Sequence, residues 1–351
     1  MTAQGDDKTA ITNGVQARTM QDVARLAGVS AMTVSRALRS DASISQATRA
    51  RILEVIERVG YIPDQTANML ASRRSGFVVA LIPALNNSNF ADTVRGINDS
   101  LAGTGLQMIL GATDYSPERE EELIATTLRR RPEGIILAGS KHTARARRLL
   151  THAGLPIVQI WDFPDDPLDQ VVGFSNADAA RAMVHHLADR GFRRIGFVGS
   201  SVPSDTRGFE RQRGYCEALV ERGLGPPRLV NAAKPPGSIE QGGLALGRLL
   251  ERWPDLDAVF CVSDLAACGA MMECHRRGMV VPRDIAIAGF GDFEISRCTH
   301  PRMSTVAVES YEIGALAGRH LVAALEYDGD PATRPVARIR TPFTVIARES
   351  T

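Results

Sequence analysis

The fold of the N-terminal region is decided by one stretch, Thr19-Met-Gln-Asp-Val-Ala-Arg-Leu-Ala-Gly-Val-Ser-Ala-Met-Thr-Val-Ser-Arg36. Thr19 and Asp22 have the spacing of a capping box, which begins a helix. Gly28 can adopt the left-handed backbone that a tight turn between two helices needs. A third helix is predicted from Ser45 to about residue 59. The stretch therefore predicts a helix-turn-helix.

The second helix of this pair is expected to have one packed face and one open face. Val34 would pack it against Val23 and Leu26 of the first helix. A helix in the major groove reads bases with its N-terminal residues and anchors on phosphates with hydroxyl groups. Arg36 is the strongest base reader, because its guanidinium can donate to guanine O6 and N7 in parallel. The predicted DNA contacts of this region are Thr19, Ser30, Ala31, Met32, Thr33, Ser35 and Arg36. The alternative for the pattern alone is a helical hairpin with a surface arginine.

Length and charge restrict what else the chain can be. Its 351 residues suit two or three domains, and its formal net charge is only +1. The segment from residue 19 to 75 carries eight Arg and five acidic residues, an excess of 8 − 5 = +3. A nucleic-acid footprint must therefore be local to this segment.

The cysteines and the N-terminal segment indicate the compartment. The five cysteines are odd in number and form no CxxC pair, so the sequence predicts neither disulfides nor a metal or other cofactor. Residues 1–18 are polar, without the apolar core of a signal peptide, and we expect a disordered tail there. The longest apolar run, residues 77–85, is too short to cross a bilayer. We therefore expect a cytoplasmic protein without membrane contact.

From residue 77 onward, apolar strands alternate with helical patterns. This alternation is typical of parallel sheets with helices on both faces. Predicted strands are Phe77–Ile82, Leu106–Leu110, Gly134–Leu137, Pro156–Ile160, Arg194–Val198, Leu229–Asn231, Ala258–Val262 and Ile285–Ala288. Two doubly wound halves in series predict a bilobed receptor with a cleft between its lobes. The fold class is thus a multi-domain α+β chain, with a helical head and a bilobed α/β domain.

The stretch from residue 19 to 36 closely resembles the start of the lactose-repressor and galactose-repressor family. The resemblance continues through Gly60-Tyr-Ile-Pro63, Asn89-Phe-Ala91 with Gly96, Val281-Pro-Arg-Asp-Ile-Ala-Ile-Ala-Gly-Phe290, Pro301-Arg-Met-Ser-Thr305 and Arg348-Glu-Ser350. Within the family, the stretches Val172-Gly-Phe-Ser-Asn176, Phe260-Cys261 and Lys141-His-Thr143 look most like the gluconate-operon repressor branch. The resemblance implies a dimeric repressor on a palindromic operator, controlled by a small molecule in a periplasmic-binding-protein-like domain.

The resemblance also implies domain boundaries. It places a helix-turn-helix domain at 19–63, a hinge helix and linker at 64–75, and an effector-binding and dimerisation domain at 76–351. The first lobe would comprise about 76–174 and 306–330, and the second about 175–305 and 331–351. In the hinge helix, Leu70 would wedge into the minor groove and Asn68 would contact the DNA backbone. The alternative for Leu70 is ordinary packing in a linker helix.

Polar side chains that follow strand ends are candidates for the effector cleft, because ligands of doubly wound sheets bind there. Together with residues at family positions, the predicted effector contacts are Phe90, Ser140, Lys141, Trp161, Asn176, Arg211, Ser263 and Asp292. Trp161 has the alternative of packing between the lobes, and Arg211 that of a salt bridge between them. Asp264 is expected to cap a helix, and His142 to lie at the surface.

One departure from the family bears on the ligand. Sugar-binding members usually carry an aspartate where this chain has Gly291. The loss of that carboxylate, with Lys141 and Arg211 nearby, favours an anionic ligand. We therefore expect gluconate or a close sugar acid (a ketogluconate or a phosphorylated gluconate), acting as an inducer. A regulator of another sugar or catabolic pathway remains the alternative.

A sugar-binding receptor and an enzyme are the alternatives to a regulator. A sugar-binding receptor shares the bilobed fold but needs an export signal and no DNA-binding head. An enzyme would need a phosphate loop or a nucleophile elbow, and the sequence contains neither. No heptad repeat follows the last predicted strand, so we expect a dimer rather than a tetramer.

Overall fold

A computed structural model describes residues 19–38, 41, 43–62, 75–85, 88–200, 204–232, 238–330 and 333–351. It divides into two units, Met1–Arg74 and Ser75–Thr351, which are described separately. The predicted tail (1–18) and hinge helix (65–72) lie outside the described residues, and with them Asn68 and Leu70.

The first unit contains three helices, α1 (Met20–Ala27), α2 (Ala31–Leu38) and α3 (Gln46–Val59). The Thr19 side chain accepts from the backbone N–H of Asp22 and the Asp22 side chain accepts from that of Thr19, so the predicted capping box is present. Gly28 ends α1 at φ 64° in the left-handed conformation. The small core of the unit consists of Val23, Ala24, Ala27, Val34, Ala37, Ile52, Val55 and Tyr61. The prediction that Val34 packs against Leu26 is wrong, because the Leu26 side chain is 49% exposed. The smaller Ala24 and Ala27 are buried in the same core as Val34 instead.

The second unit is built on two six-stranded sheets. Its first part runs β1 (Phe77–Ile82), α4 (Ser88–Leu101), β2 (Gln107–Ala112), α5 (Pro117–Leu128), β3 (Ile135–Ala138), α6 (Ala144–Thr151), β4 (Ile157–Ile160), β5 (Gln170–Gly173) and α7 (Asn176–Asp189). Its second part runs β6 (Ile195–Ser200), α8 (Thr206–Glu221), β7 (Arg228–Ala232), α9 (Ile239–Arg252), β8 (Ala258–Cys261), α10 (Asp264–Arg276), β9 (Ala286–Gly291), α11 (Glu294–Cys298), β10 (Ser304–Val308), α12 (Ser310–Leu325), β11 (Arg338–Arg340) and β12 (Phe343–Ile346).

The two sheets repeat one topology. The first has the order β11-β5-β4-β3-β1-β2 and the second the order β12-β10-β9-β8-β6-β7. In each sheet, the strand that comes first along the chain lies beside the one that comes third, β1 beside β3 and β6 beside β8. The strand order therefore reverses between these two strands. Side chains beyond the carboxyl ends of these strands meet at this reversal, which is where doubly wound sheets bind ligands. The predicted fold class is confirmed.

The end of the chain crosses between the lobes more often than we expected. The sequence placed residues 331–351 in the second lobe, but β11 pairs with β5 in the first sheet, from Arg338 opposite Val171 to Arg340 opposite Gly173. β12 then pairs antiparallel with β10 in the second sheet. β11 was missed because a three-residue strand with two exposed arginines has no apolar pattern and owes its position to a distant partner.

Helices α4 and α12 pack closely through glycines. A Cβ on Gly96 would lie 2.1 Å from the Tyr311 carbonyl oxygen, and one on Gly314 would lie 2.0 Å from that of Thr93. Such reciprocal small residues let two helix backbones approach each other and hold the start of α4 at the cleft. Among the described residues, no helix combines the length and the apolar character that crossing a membrane requires.

Candidate functional site

The second helix of the helix-turn-helix presents an open face, as predicted. Ser30 begins it by accepting from the Thr33 backbone N–H at 3.1 Å. Val34 is fully buried, whereas Met32 is 61% exposed and Arg36 is exposed. In the described residues, no carboxylate comes within salt-bridge distance of the Arg36 guanidinium. The face can therefore offer an uncommitted fork of N–H donors and an apolar surface to a groove of DNA.

A row of aromatic rings crosses between the two lobes of the second unit. Phe90 at the start of α4 lies 5.2 Å from Trp161, measured between ring centroids, and Trp161 lies 6.0 Å from Phe174. Phe174 stacks on Phe290 at 6.3 Å. All four rings are buried, and the Trp161 indole N–H donates to the Thr93 hydroxyl at 3.2 Å. Phe90 and Trp161 thus pack in this row, and their contact with an effector stays a prediction.

Arg211 on α8 is held over the far end of this row. Its Nε donates to Asn176 Oδ1 at 2.9 Å, its Nη1 donates to the Val262 carbonyl oxygen at 2.8 Å, and its Cζ lies 3.6 Å from the Phe290 ring centroid. Burial lowers the pKa of Arg211 to about 10. None of the carboxylates in the described parts of the chain forms a salt bridge with it. Arg211 therefore does not form, with any described residue, the salt bridge between lobes that was its alternative role.

A polar chain links Arg211 to the first lobe. Asn176 Nδ2 donates to the Trp161 carbonyl oxygen at 3.0 Å and to Asp162 Oδ1 at 3.2 Å. The Ser140 hydroxyl donates to Asp162 Oδ2 at 3.0 Å. Burial raises the pKa of the Asp162 carboxyl, and the charge of Arg207 opposes that shift. Ser140, Asn176 and Arg211, predicted separately, are thus joined in one network.

Arg207 is a functional candidate that the sequence analysis missed. It lies one turn before Arg211 on α8 and is only 6% exposed. Its Cζ is 5.4 Å from the Phe90 ring centroid and 5.9 Å from that of Tyr115. The available signal was the spacing of four between Arg207 and Arg211, which puts two cations on one helix face at the cleft.

Of the three other predicted residues, Ser263 and Asp292 are committed to structural contacts, and Lys141 is not. Ser263 is the N-cap of α10 and accepts from the Ala266 backbone N–H at 3.3 Å. Asp292 forms an ion pair with Arg348 at 2.5 Å. Lys141 is exposed and lines the same cavity as Arg207.

His142 does not lie at the surface, contrary to expectation. Its side chain is 1% exposed, and its Nδ1 lies 2.6 Å from Glu120 Oε1. Its Nε2 lies 3.1 Å from Gln159 Nε2, while Gln159 Oε1 accepts from the Leu168 backbone N–H. These partners come from neighbouring elements, so a local polar sequence could not reveal that they cover the ring.

Asp264 is a buried structural carboxylate, and Ser263 rather than Asp264 supplies the cap. Its Oδ1 accepts from the Thr305 hydroxyl at 2.6 Å, and its Oδ2 accepts from the Phe293 backbone N–H at 2.7 Å. The two bonds fix the ends of β9 and β10 beside α10. Burial raises the pKa of Asp264 to about 7.

This raised pKa predicts a pH dependence of stability. The folded state holds the Asp264 proton more tightly than the unfolded state, so its stabilisation is complete below about pH 4 and is lost as the pH rises through 7. We expect the free energy of unfolding to fall by roughly 1 kcal/mol per pH unit in this window, relative to Asp264→Asn. Urea titrations at pH 5 and pH 7.5 measure the difference between the two proteins.

Asp284→Asn is the matched control for this titration. The hydrogen bond from Arg283 lowers the pKa of Asp284 to about 2, so this carboxylate does not titrate between pH 5 and 7.5. The control should keep the pH slope of the wild type. A slope that is the same in wild type and Asp264→Asn contradicts the assignment.

Gly291 ends β9 in a conformation that favours glycine, with φ 125°. Its carbonyl oxygen accepts from Asn89 Nδ2 at 3.0 Å, a buried contact between the second lobe and the start of α4. A Cβ here would lie 2.3 Å from Phe293 Cε1 and 3.0 Å from Asn89 Nδ2. Position 291 thus lacks the aspartate of the sugar-binding members and also has no room for a side chain.

Comparison with known proteins agrees with both units. The family described as bacterial regulatory proteins, lacI family, matches residues 19–64, and a periplasmic binding protein-like domain matches residues 184–351. The HTH-type transcriptional regulator GntR of Pseudomonas aeruginosa is 36% identical over 351 residues, which is 100% of each chain. The regulator IdnR of Escherichia coli is 36% identical over 308 residues, 88% of this chain and 92% of that protein.

A solved structure extends the likeness to three dimensions. A LacI-family transcriptional regulator from Silicibacter pomeroyi is 35% identical, with a TM-score of 0.87 over 95% of this chain and 99% of that one. These relatives are transcriptional regulators and not enzymes. The chain belongs to the lacI family and is a DNA-binding transcriptional regulator similar to those of the GntR and IdnR type.

Proposed function

We propose that this regulator is a dimeric cytoplasmic repressor that binds a palindromic operator and leaves it when a sugar acid, gluconate or a close relative, enters the cleft. The exposed face of α2 would read the operator half-site, and Asn68 and Leu70 would act at its centre. Two-fold symmetry of a dimer calls for an inverted repeat in the DNA. The effector would act as an inducer by favouring a lobe arrangement that binds DNA less well.

The observation that supports an anionic ligand is the set of contacts made by the Arg211 guanidinium. Its guanidinium is positioned by two neutral acceptors and stacked on Phe290, with no carboxylate partner in the described residues. Two of its five N–H groups are used, which leaves donors for a further acceptor. A ligand carboxylate satisfies these donors with charge-assisted bonds, whereas a neutral hydroxyl supplies no charge to a buried cation.

Fluorescence anisotropy on a labelled inverted-repeat operator tests the proposal. Operator-bound protein is expected to dissociate on addition of millimolar gluconate and not on addition of glucose at the same concentration. Light scattering of the free protein should give the mass of a dimer. Release by neutral hexose alone, or a monomer at micromolar concentration, would overturn the proposal.

Arg36→Ala is expected to relax base preference at one position of each half-site. Loss of a bidentate contact to guanine costs about 1–3 kcal/mol of discrimination, and binding to unrelated DNA should change much less. Anisotropy titrations with operators substituted at single positions measure this preference. Arg25→Ala is the control, because Arg25 is already paired with Asp22 at 2.6 Å. Equal losses on every operator would instead assign Arg36 to phosphate contact.

A further inference from the structure

A second cationic position lies at the edge of the cleft, one helical turn before Arg211 on α8. Arg207 and Lys141 line one cavity together with hydroxyl-bearing side chains. These hydroxyls belong to Thr113, Tyr115, Ser116, Ser204 and Thr206. Arg211 is not among the residues lining this cavity, although it shares a face of α8 with Arg207.

Arg207 reaches from the second lobe to loops of the first. Its guanidinium carbon lies 5.4 Å from the ring centroid of Phe90 and 5.9 Å from that of Tyr115. Its Nη1 lies 3.8 Å from the position that a Cβ on Gly139 would occupy. The guanidinium is therefore buried between the loops that follow β2 and β3.

No acidic side chain of the described residues forms an ion pair with Arg207. Asp162, whose carboxyl interacts electrostatically with Arg207, is bonded to Ser140 and Asn176. Asp205 accepts from the Gly208 backbone N–H at 3.1 Å, and Glu120 contacts His142. The Arg207 guanidinium is thus buried without a direct ion pair, and a buried charge of this kind is stabilised when a ligand supplies an opposite charge.

The backbone around the cavity supports a binding role. Asp114 and Tyr115 have φ values of 51° and 59°, in the left-handed region that side chains rarely adopt. Such strain at two consecutive residues is concentrated at binding sites. The strained turn places Tyr115 near Arg207, just before the start of α5.

We propose that this cavity binds a phosphate group, so that the effector is a phosphorylated sugar acid with anions at both ends. The inference rests on the proposed sugar-acid effector and adds its second charged group. The carboxylate would be held by Arg211, and the phosphate by Arg207 and Lys141. Two cations and several hydroxyls suit phosphate, because its three terminal oxygens accept more hydrogen bonds than the two of a carboxylate.

Calorimetric titration of the full-length protein tests this inference with five probes: gluconate, 6-phosphogluconate, glucarate, glucose 6-phosphate and the neutral hexose glucose. The wild type is expected to bind 6-phosphogluconate at least about tenfold more tightly than gluconate or the dicarboxylate glucarate. Glucose 6-phosphate, which lacks the carboxylate, should bind more weakly than 6-phosphogluconate. Gluconate or glucarate binding as tightly as 6-phosphogluconate would overturn the phosphate subsite.

Variants assign the preference to the cavity. Arg207→Gln is expected to reduce the ratio of the two affinities, 6-phosphogluconate over gluconate, to within about twofold. Lys141→Gln, at an exposed position, should lower the same ratio by about threefold. Arg213→Gln is the matched control, because this exposed arginine on α8 is paired with Glu210 and Glu217.

The outcomes separate the two proposals. Equal weakening of both ligands in Arg207→Gln would move Arg207 to the carboxylate and refute the phosphate site. Failure of the underlying proposal looks different, because neither sugar acid would then give heat while a neutral hexose does.

Discussion

Arg211→Gln is expected to yield a repressor that binds operator normally and no longer responds to the sugar acid. The variant should lose about 100-fold or more in affinity for gluconate, because charge-assisted hydrogen bonds to a buried guanidinium contribute about 1.5–3 kcal/mol each. Operator affinity without effector should stay within about threefold of the wild type, since Arg211 lies in the effector unit and not in the helix-turn-helix.

Arg211→Lys separates charge from geometry at the same position. A lysine keeps the positive charge but cannot reproduce the planar fork that binds Asn176, Val262 and the ring of Phe290 together. We expect it to recover part of the affinity, leaving a loss of about tenfold. Calorimetry gives the affinity of each variant, and anisotropy gives the effector concentration that releases operator. If the gluconate concentration that releases the wild type from operator also fully releases Arg211→Gln, Arg211 does not bind the effector carboxylate.

The helix-turn-helix and eight of the twelve strands in the described residues were predictable because their signals are local, whereas β5, β10, β11 and β12 were not predicted. Thr19 and Asp22 specify a cap within one turn, and Gly28 specifies the turn that follows. The apolar strands β1 and β8 are recognised by composition alone, because they are buried along their length. Where the apolar signal disappears, as in β11, the position depends on a partner more than 160 residues away and was not predicted.

The cleft was predictable only in part, for the same physical reason. Strand ends pointed to Ser140 and Asn176, which do share a network with Arg211. The role of His142 depends on partners from two other elements, and no local pattern records them. Arg207 was overlooked because an arginine in a helix is ordinarily solvated, and only the surrounding lobes reveal that this one is buried.

Gly291→Asp is expected to destabilise the effector unit and not to convert the cleft into one that binds neutral sugars. At φ 125° a side chain is strained, at a cost of about 1–3 kcal/mol. The new Cβ would also press on Phe293 and on the amide of Asn89, and overpacking of this kind costs a further 1–3 kcal/mol or so. We expect the free energy of unfolding to fall by about 3 kcal/mol in total.

Gly225→Asp separates the two contributions, because Gly225 has φ 83° with nothing within 4 Å of a built Cβ. It should lose only the strain, about 1 kcal/mol, in urea titrations of both variants. The contact between Asn89 and the Gly291 carbonyl would also be disturbed in Gly291→Asp, so the response of operator binding to gluconate should weaken with stability. If Gly291→Asp instead unfolds like the wild type and gains affinity for a neutral hexose, the glycine is merely a missing sugar ligand. The absence of that aspartate would then itself contribute to the preference for an anion, beside Arg211.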